Sequence, residues 1–341
     1  MLGKTTDPKE HAMRCISYNR LGPAADVLTQ QTYDTPAPAA GEVTVRLALS
    51  GVNPSDIKSR NGAVAGVTKP AFENVIPHSD GAGVIEAVGE GIDAARIGTR
   101  VWIWNAQWQR AFGTASTHIT LPSEQAVDLP DGVSMETGAI LGIPGLTAAE
   151  AVFGAGDVAG KTLLISGGGG TVGYLAVQLA AWGGAHVIAT CSPRDMDRVK
   201  AAGAHTVLDY RSDTLAADII AANNGALVER ILEVEFGANV DMNAEVIAPN
   251  GTIAAYGSQL EMMPTLPFRP LLFKAVTLDI ILIYLLPLAD RLERIERLNN
   301  ALAQGALTCP VAQVFAMEDC VAAHEAVLKG NRAGAVLIDC S

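Results

Sequence analysis

Apolar residues follow two rhythms along this chain, and the change falls just after Pro130. From about Arg14 to Pro130 the short apolar runs MRCISY, EVTVRLALSGV, GAGVIEAVG, TRVWIW, STHITLP and AVDLP are separated by Gly, Pro and Asn. Short strands at close turn spacing predict a compact, mostly β unit. After Ser134 the segment METGAILGIPGLTAAEAVF is Ala-rich and reads as helix, and from Lys161 apolar strands alternate with helical segments of about 10–15 residues. That alternation predicts an α/β fold with a doubly wound parallel sheet, because parallel neighbours need a crossover between them.

The segment Leu163 to Ala189, LLISGGGGTVGYLAVQLAAWGGAHVIA, gives strand, glycine turn, amphipathic helix and strand in succession. Gly168, Gly170 and Gly173 fit G-x-G-x-x-G, whose glycines serve a tight turn, backbone approach to a pyrophosphate and close packing of helix on strand. A pyrophosphate would sit on the helix N-terminus, over Gly168, Gly169, Gly170, Thr171, Val172 and Gly173. Val276 to Leu288 is broken by Asp279 and Pro287 and is shorter than the roughly 20 residues of a membrane helix, so it predicts a buried strand. LADRLERIERLNNALAQ, from Leu288, predicts a surface helix packed on one face. The tail from Cys309 supplies strand, helix and strand, and returns to the first unit. The expected division is 1–132 and 286–341 for a discontinuous β unit and 133–285 for the α/β unit.

Charge and cysteines narrow the function. Lys and Arg total 24 against 36 Asp and Glu, and a net charge of −12 repels phosphate backbones, so nucleic acid is not expected as a partner. Cys15, Cys191, Cys309, Cys320 and Cys340 are scattered and odd in number, as reduced intracellular thiols are. The polar start, MLGKTTDPKEHAM, reads as a loose leader without the apolar run of an export signal, so a cytoplasmic protein without a membrane segment is expected. There is no Ser-His-Asp arrangement, paired-carboxylate signal or activated cysteine that would support hydrolysis.

Four ordered motifs add a family. Gly51-Val52-Asn53-Pro54-Ser55-Asp56, Ile76-Pro77-His78-Ser79-Asp80-Gly81-Ala82-Gly83, the Leu141-Gly142-Ile143-Pro144 and Leu146-Thr147-Ala148 pair, and Tyr256-Gly257-Ser258 accompany the glycine turn. In this order the chain resembles the zinc-independent, zeta-crystallin-like quinone oxidoreductases of the medium-chain dehydrogenase/reductase superfamily. The resemblance implies a GroES-like catalytic domain, a Rossmann cofactor domain with a cleft between them, and hydride transfer to an electron-poor acceptor. It also implies a homodimer formed through the edge of the cofactor sheet, at Val276 to Tyr284. The chain departs from the family pattern at His78, where Gly is expected, at Thr99, at Lys58 in place of a tyrosine, and at Gly334-Ala335 in place of a Gly-Lys pair.

Zinc-dependent members carry Cys where Asn53 stands and His where Ser79 stands, and Asn and Ser do not replace the Cys, His or carboxylate donors of catalytic zinc. No metal is therefore expected, and His78 reads first as a turn residue. NAD-binding members carry an acid at the end of the second strand, about 20 residues past the glycines. Here that stretch is Ala189-Thr190-Cys191-Ser192-Pro193-Arg194, and Ser192 and Arg194 suit the 2′-phosphate of NADPH. The alternative for Arg194 is a surface charge paired with Asp195 or Asp197. By motif match Tyr210 packs at the adenosine end, Thr147 contacts the nicotinamide side, and Gly257 and Ser258 line the nicotinamide end. Asn53 either positions the ribose or the acceptor oxygen or is a plain turn residue. Lys58 either stabilises charge on a reduced quinone or is solvated, and Trp104 and Trp108 form either an aromatic pocket wall or core. The expected activity is NADPH:quinone reduction. Reduction of an enone, enal or enoyl thioester uses the same hydride and stays open, as does a non-catalytic, crystallin-like role.

Overall fold

In a computed structural model the described residues are 12–63 and 66–341. The first eleven residues of the expected leader MLGKTTDPKEHAM, and residues 64 and 65, lie outside them. The chain forms two compact units, one up to Ile143 and from Cys309 to Ser341, the other Pro144–Thr308.

The first unit is mostly β, as its turn spacing predicts. Its longest strand, Glu42–Val52, pairs antiparallel with Asp80–Val88, His118–Pro122 and the C-terminal strand Ala335–Asp339. Val43, Val45 and Leu47 point inward with Ile85, Ile103, Leu121 and Ile338 to form one core, while Arg46 faces out to Glu86 at 2.5 Å. The two-residue period thus decides which face is core. The helix Pro54–Asn61 leaves the end of the long strand with Pro at its first turn and Asn53 as its N-cap.

The second unit carries a six-stranded sheet in the order Thr206–Asp209, His186–Cys191, Thr162–Ile165, Val228–Glu233, Ile247–Ala255, Thr277–Ile280, every pairing parallel. Thr162–Ile165 is buried throughout, which is why Leu163, Leu164 and Ile165 are all apolar and the Thr162 hydroxyl is bonded to Asn223 Oδ1 at 2.9 Å. Leaving from its two edges, successive crossovers reverse direction beside this strand, and ligands of such sheets bind there at the strand C-termini.

Three expectations change. The junctions fall at 143/144 and 308/309 rather than 132/133 and 285/286, because the helix Leu288–Ala303 stays with the second unit. Ile295, Leu298 and Leu302 bury its apolar stripe, Arg294 Nε meets Glu150 Oε2 at 2.8 Å, and the Arg297 guanidinium lies 4.5 Å from the centre of the Phe153 ring. The long helical run after Ser134 is not one regular helix: after Met135–Gly138 it resumes as a π-helical turn, Leu141–Gly145, containing Pro144, which cannot donate an N–H, and continues as Leu146–Phe153. The buried strand expected within Val276 to Leu288 is a short edge strand, Thr277–Ile280, with Ile280 75 % exposed. Apolar sequence marks a face that favours cover without saying which molecule covers it. Among the described residues no helix is long and apolar enough to cross a membrane.

Candidate active site

The glycine turn joins the strand Thr162–Ile165 to the helix Thr171–Trp182 at the C-terminal edge of the parallel sheet. The left-handed residue is Gly167, φ 69°, one position before the motif glycine expected to make the tight turn. Gly168 is needed instead for close approach: a Cβ there would lie 3.2 Å from both Ala189 Cβ and Val199 Cγ1. Gly173 lets the helix settle on the turn, since its Cβ would collide with the Gly167 carbonyl and lie 3.0 Å from Gly168 Cα. Gly170 is the N-cap and faces open space apart from Gly167 O at 3.4 Å. Thr171 and Val172 open the helix, half-buried. Gly168 N–H and Gly170 N–H already donate to the Thr190 and Gly167 carbonyls, at 2.8 and 2.9 Å, so the first N–H groups of the helix, at Thr171, Val172 and Gly173, with the helix dipole form the cradle suited to a pyrophosphate.

Beside the turn, Ser192 ends the second strand's exit and Asp195 folds back against Gly169, whose Cβ would lie 2.9 Å from Asp195 Oδ2. Asp195 Oδ2 accepts from Ser192 Oγ at 2.8 Å and Arg194 Nε at 3.2 Å, and its Oδ1 accepts from Arg198 Nε at 2.9 Å. Arg198 also donates to the Gly169 carbonyl and lies 5.2 Å from the centre of the Tyr174 ring. Burial pushes the Asp195 carboxyl up, but bonds from Arg198, Ser192 and Arg194 outweigh it and hold it below its usual value. The expected pair Ser192 and Arg194 is therefore together, with Asp195 and Arg198 added. Sequence reasoning treated Asp195 only as a possible surface partner; its return to the turn follows from the 3₁₀ turn Pro193–Asp195, which strand counting does not reveal. Tyr210 is exposed, and Arg211 lies 5.5 Å from the centre of its ring.

Gly257 follows the fifth strand and packs so closely on Val234 that a Cβ would strike the Val234 carbonyl. Ser258 Oγ accepts from Gly237 N at 2.9 Å and donates to the Glu261 carbonyl, so its hydroxyl holds the turn. An apolar cavity of about 510 Å³ opens beside Gly257 and Ser258, lined also by Tyr256, Met262, Leu278 and Ile280. Thr147 is buried in the first turn of Leu146–Phe153.

In the first unit, Asn53 is 6 % exposed and its amide is already engaged: Nδ2 donates to Asp80 Oδ2 at 2.7 Å. Its backbone N–H donates to Asp56 Oδ2 at 2.7 Å, which caps the helix from its third residue. Asp80 lies against Gly142, where a Cβ would collide with Asp80 Oδ1 and the Ile103 carbonyl. Burial pushes Asp56 up to about 7 and Asp80 well above its usual range. Neither carboxyl was singled out from sequence, where the Asn motif gave no sign that both would be enclosed. Lys58 lies exposed on the same helix, in its last turn, where the helix dipole favours a cation. Trp104 is buried and donates its indole N–H to the Glu124 carbonyl at 3.1 Å; Trp108 is half-buried on the loop beyond it.

His78, Cys320 and His324 place donor atoms within 4.8 Å of one another, all buried. Their hydrogen bonds run in one direction. Arg60 Nε donates to His324 Nδ1 at 3.3 Å, so His324 carries its proton on Nε2 and donates it to His78 Nε2 at 2.9 Å. His78 Nδ1 then donates to Ser50 Oγ, Ser50 to Thr114 Oγ1, both at 2.8 Å, and Thr114 to the Asp80 carbonyl at 2.5 Å. With that direction no ring nitrogen of His324 keeps a lone pair for a metal. The donors at Asn53 and Ser79 are an amide and a hydroxyl, which do not fit zinc either. His78 takes φ 78°, which explains why the family pattern has Gly there.

Comparison with known proteins identifies the two parts. Residues 39–131 match the alcohol dehydrogenase GroES-like domain, and residues 171–298 match the zinc-binding dehydrogenase family. A chloroplastic quinone-oxidoreductase homolog from Spinacia oleracea is 32 % identical over 59 % of this chain and 62 % of its own length. Quinone oxidoreductase from Rattus norvegicus is 28 % identical over 72 % of this chain and 73 % of its own. The alignment to the spinach protein thus spans less than two thirds of that relative. A mycobacterial protein solved in complex with NADPH superposes with a TM-score of 0.82 at 26 % identity, over 96 % of this chain and 99 % of that one.

Proposed function

Since the chain belongs to the medium-chain dehydrogenase/reductase superfamily, with its GroES-like and nucleotide-binding domains, we propose that it is an NADPH-dependent, zinc-free quinone oxidoreductase of the cytoplasm. The observation that carries this reading is Asn53, held by Asp80 at the motif where zinc-dependent relatives need a thiolate. Without a Lewis acid, oxidation of an unactivated alcohol lacks its main activation, whereas a quinone accepts hydride readily. The cofactor, when bound, supplies that hydride. In this reading the glycine turn holds its pyrophosphate, Ser192 and Arg194 face the 2′-phosphate, and the reacting carbons must be held close together. The quinone oxidoreductase relatives and the NADPH-bound neighbour support the reading. A second reading, reduction of an enone, enal or enoyl thioester, draws on Asp56 and Asp80, because hydride delivery to carbon then requires a proton.

EDTA-treated protein is expected to oxidise NADPH faster than NADH with an ortho-quinone, the gap being at least about ten-fold, or about 1.4 kcal/mol. Quinone turnover absent in both, with deuterium from labelled NADPH appearing on the carbon of an enone, would replace the first reading by the second. Turnover with neither acceptor leaves only a binding role. A second copy suits the exposed apolar Leu272, Phe273, Leu278 and Ile280 beside the edge strand. Sedimentation is expected to give a homodimer, and a monomer at micromolar concentration would remove that part of the reading.

A further inference from the structure

The Asp195 carboxylate accepts from all three of the side chains Ser192, Arg194 and Arg198, two of which the proposed function directs at a 2′-phosphate. Ser192 Oγ, Arg194 Nε and Arg198 Nε all point to it, at 2.8, 3.2 and 2.9 Å. It lies against Gly169 of the turn, and its own side chain is only 8 % exposed against 45 % for Arg194 and 24 % for Arg198. A ribose 2′-phosphate needs the same planar N–H donors and hydroxyl, because those groups bind any tetrahedral oxyanion in the way they bind a carboxylate. Two anions cannot share them without repulsion in a half-buried place, where charge interactions are screened less than at the surface.

We propose that Asp195 sets the cofactor preference of this enzyme as a built-in competitor of the 2′-phosphate, and that Arg198 is a second phosphate-directed cation which Asp195 holds in readiness. Two guanidiniums against one carboxylate leave a net charge of +1, so the phosphate still gains by entering, but it must displace the carboxylate from at least one arginine. Preference for NADPH over NADH is therefore smaller than the two cations alone would give. In the absence of a 2′-phosphate the carboxylate stays on its arginines and the cluster remains neutralised in large part, which leaves NADH tolerated. Arg198 donates to the Gly169 carbonyl from Nη2, so the guanidinium stays beside the turn when Asp195 releases its Nε. The inference rests on the NADPH reading of this pocket.

Calorimetric titration with 2′,5′-ADP and with 5′-AMP isolates the 2′-phosphate, because the two probes differ in that group alone. Asp195→Asn keeps the side chain's shape and one acceptor oxygen. It is expected to bind 2′,5′-ADP at least about ten-fold more tightly while 5′-AMP stays within about three-fold, as removal of one like charge at this range predicts. Arg198→Gln is expected to lose about ten-fold on 2′,5′-ADP and little on 5′-AMP; a merely structural brace of the turn would lower both together. An unchanged ratio of the two affinities in Asp195→Asn, or weaker 2′,5′-ADP binding, overturns the role given to Asp195 while tight wild-type binding of 2′,5′-ADP leaves the NADPH reading standing. Wild-type protein that binds neither probe overturns both.

Discussion

Gly173→Ala is expected to weaken NADPH binding by at least about 100-fold. An added Cβ would meet the Gly167 carbonyl and the Gly168 Cα, both backbone, so no side-chain rotation relieves the clash. The helix Thr171–Trp182 must instead move away from the turn, and its first N–H groups move with it. Losing two charge-assisted hydrogen bonds to a pyrophosphate at about 1.5 kcal/mol each amounts to about 3 kcal/mol, or roughly a hundred-fold in affinity. Stability falls less, because alanine in a helix interior returns about 1 kcal/mol of propensity against an overpacking cost of about 1–3 kcal/mol. Gly170→Ala supplies the contrast. Its φ is −79° and its nearest neighbour is 3.4 Å from the added Cβ, so no clash moves the helix, NADPH affinity is expected to stay within about ten-fold, and stability falls only by the roughly 1 kcal/mol at most by which alanine is the poorer N-cap. Fluorescence titration of NADPH with melting curves for both variants tests this; wild-type affinity in Gly173→Ala would show that the cradle does not depend on that close approach.

The same glycines show what sequence can carry. Strand, turn and helix were legible from Leu163 to Ala189 because period and glycine spacing are local properties, and the parallel character of the sheet, though not the order of its strands, follows from alternation. The turn residue was misplaced by one, since four consecutive glycines give no local reason to choose Gly167 over Gly168. Domain ends were less legible still. The helix Leu288–Ala303 belongs to the second unit through Arg294 and Glu150, residues 144 positions apart, a pairing invisible to any window on the chain. At the candidate site, Asn53, Ser192 and Arg194 were picked out as candidates from their motifs. Asp80, Asp195 and Arg198 were not assigned roles, because their roles come from what the fold turns toward them. The aromatic wall illustrates the converse: Trp104 is apolar in pattern and buried in fact, and its one polar atom is already bonded to Glu124.

Lowering the pH from 8 to 5 is expected to stabilise the first unit through Asp56, against the usual direction for a paired carboxylate. Asp56 is enclosed, and burial raises its folded pKa to about 7 from an ordinary value of 3.8, although the bond from the Asn53 N–H works the other way. Below about pH 4 both folded and unfolded chains hold the proton and no penalty exists. Between about 4 and 7 the unfolded chain ionises while the folded one does not, so the contribution is lost as pH rises through that window. The difference of about 2 units between pH 5 and 7 is worth about 3 kcal/mol at 1.36 kcal/mol per unit. Asp80 is displaced in the same direction, whereas Asp195 is displaced oppositely, so the whole-protein profile mixes signs. Subtraction separates them. Asp56→Asn keeps an acceptor for the Asn53 N–H and cannot ionise, so its stability relative to wild type is expected to rise by about 3 kcal/mol from pH 5 to pH 8 in urea unfolding. A flat difference across that range would mean that Asp56 is ionised in the folded protein with a partner that offsets its burial. In that case the helix N-terminus that carries Asn53 is held by a charge rather than by a neutral acid, and Asp56 could not supply the proton that enone reduction requires.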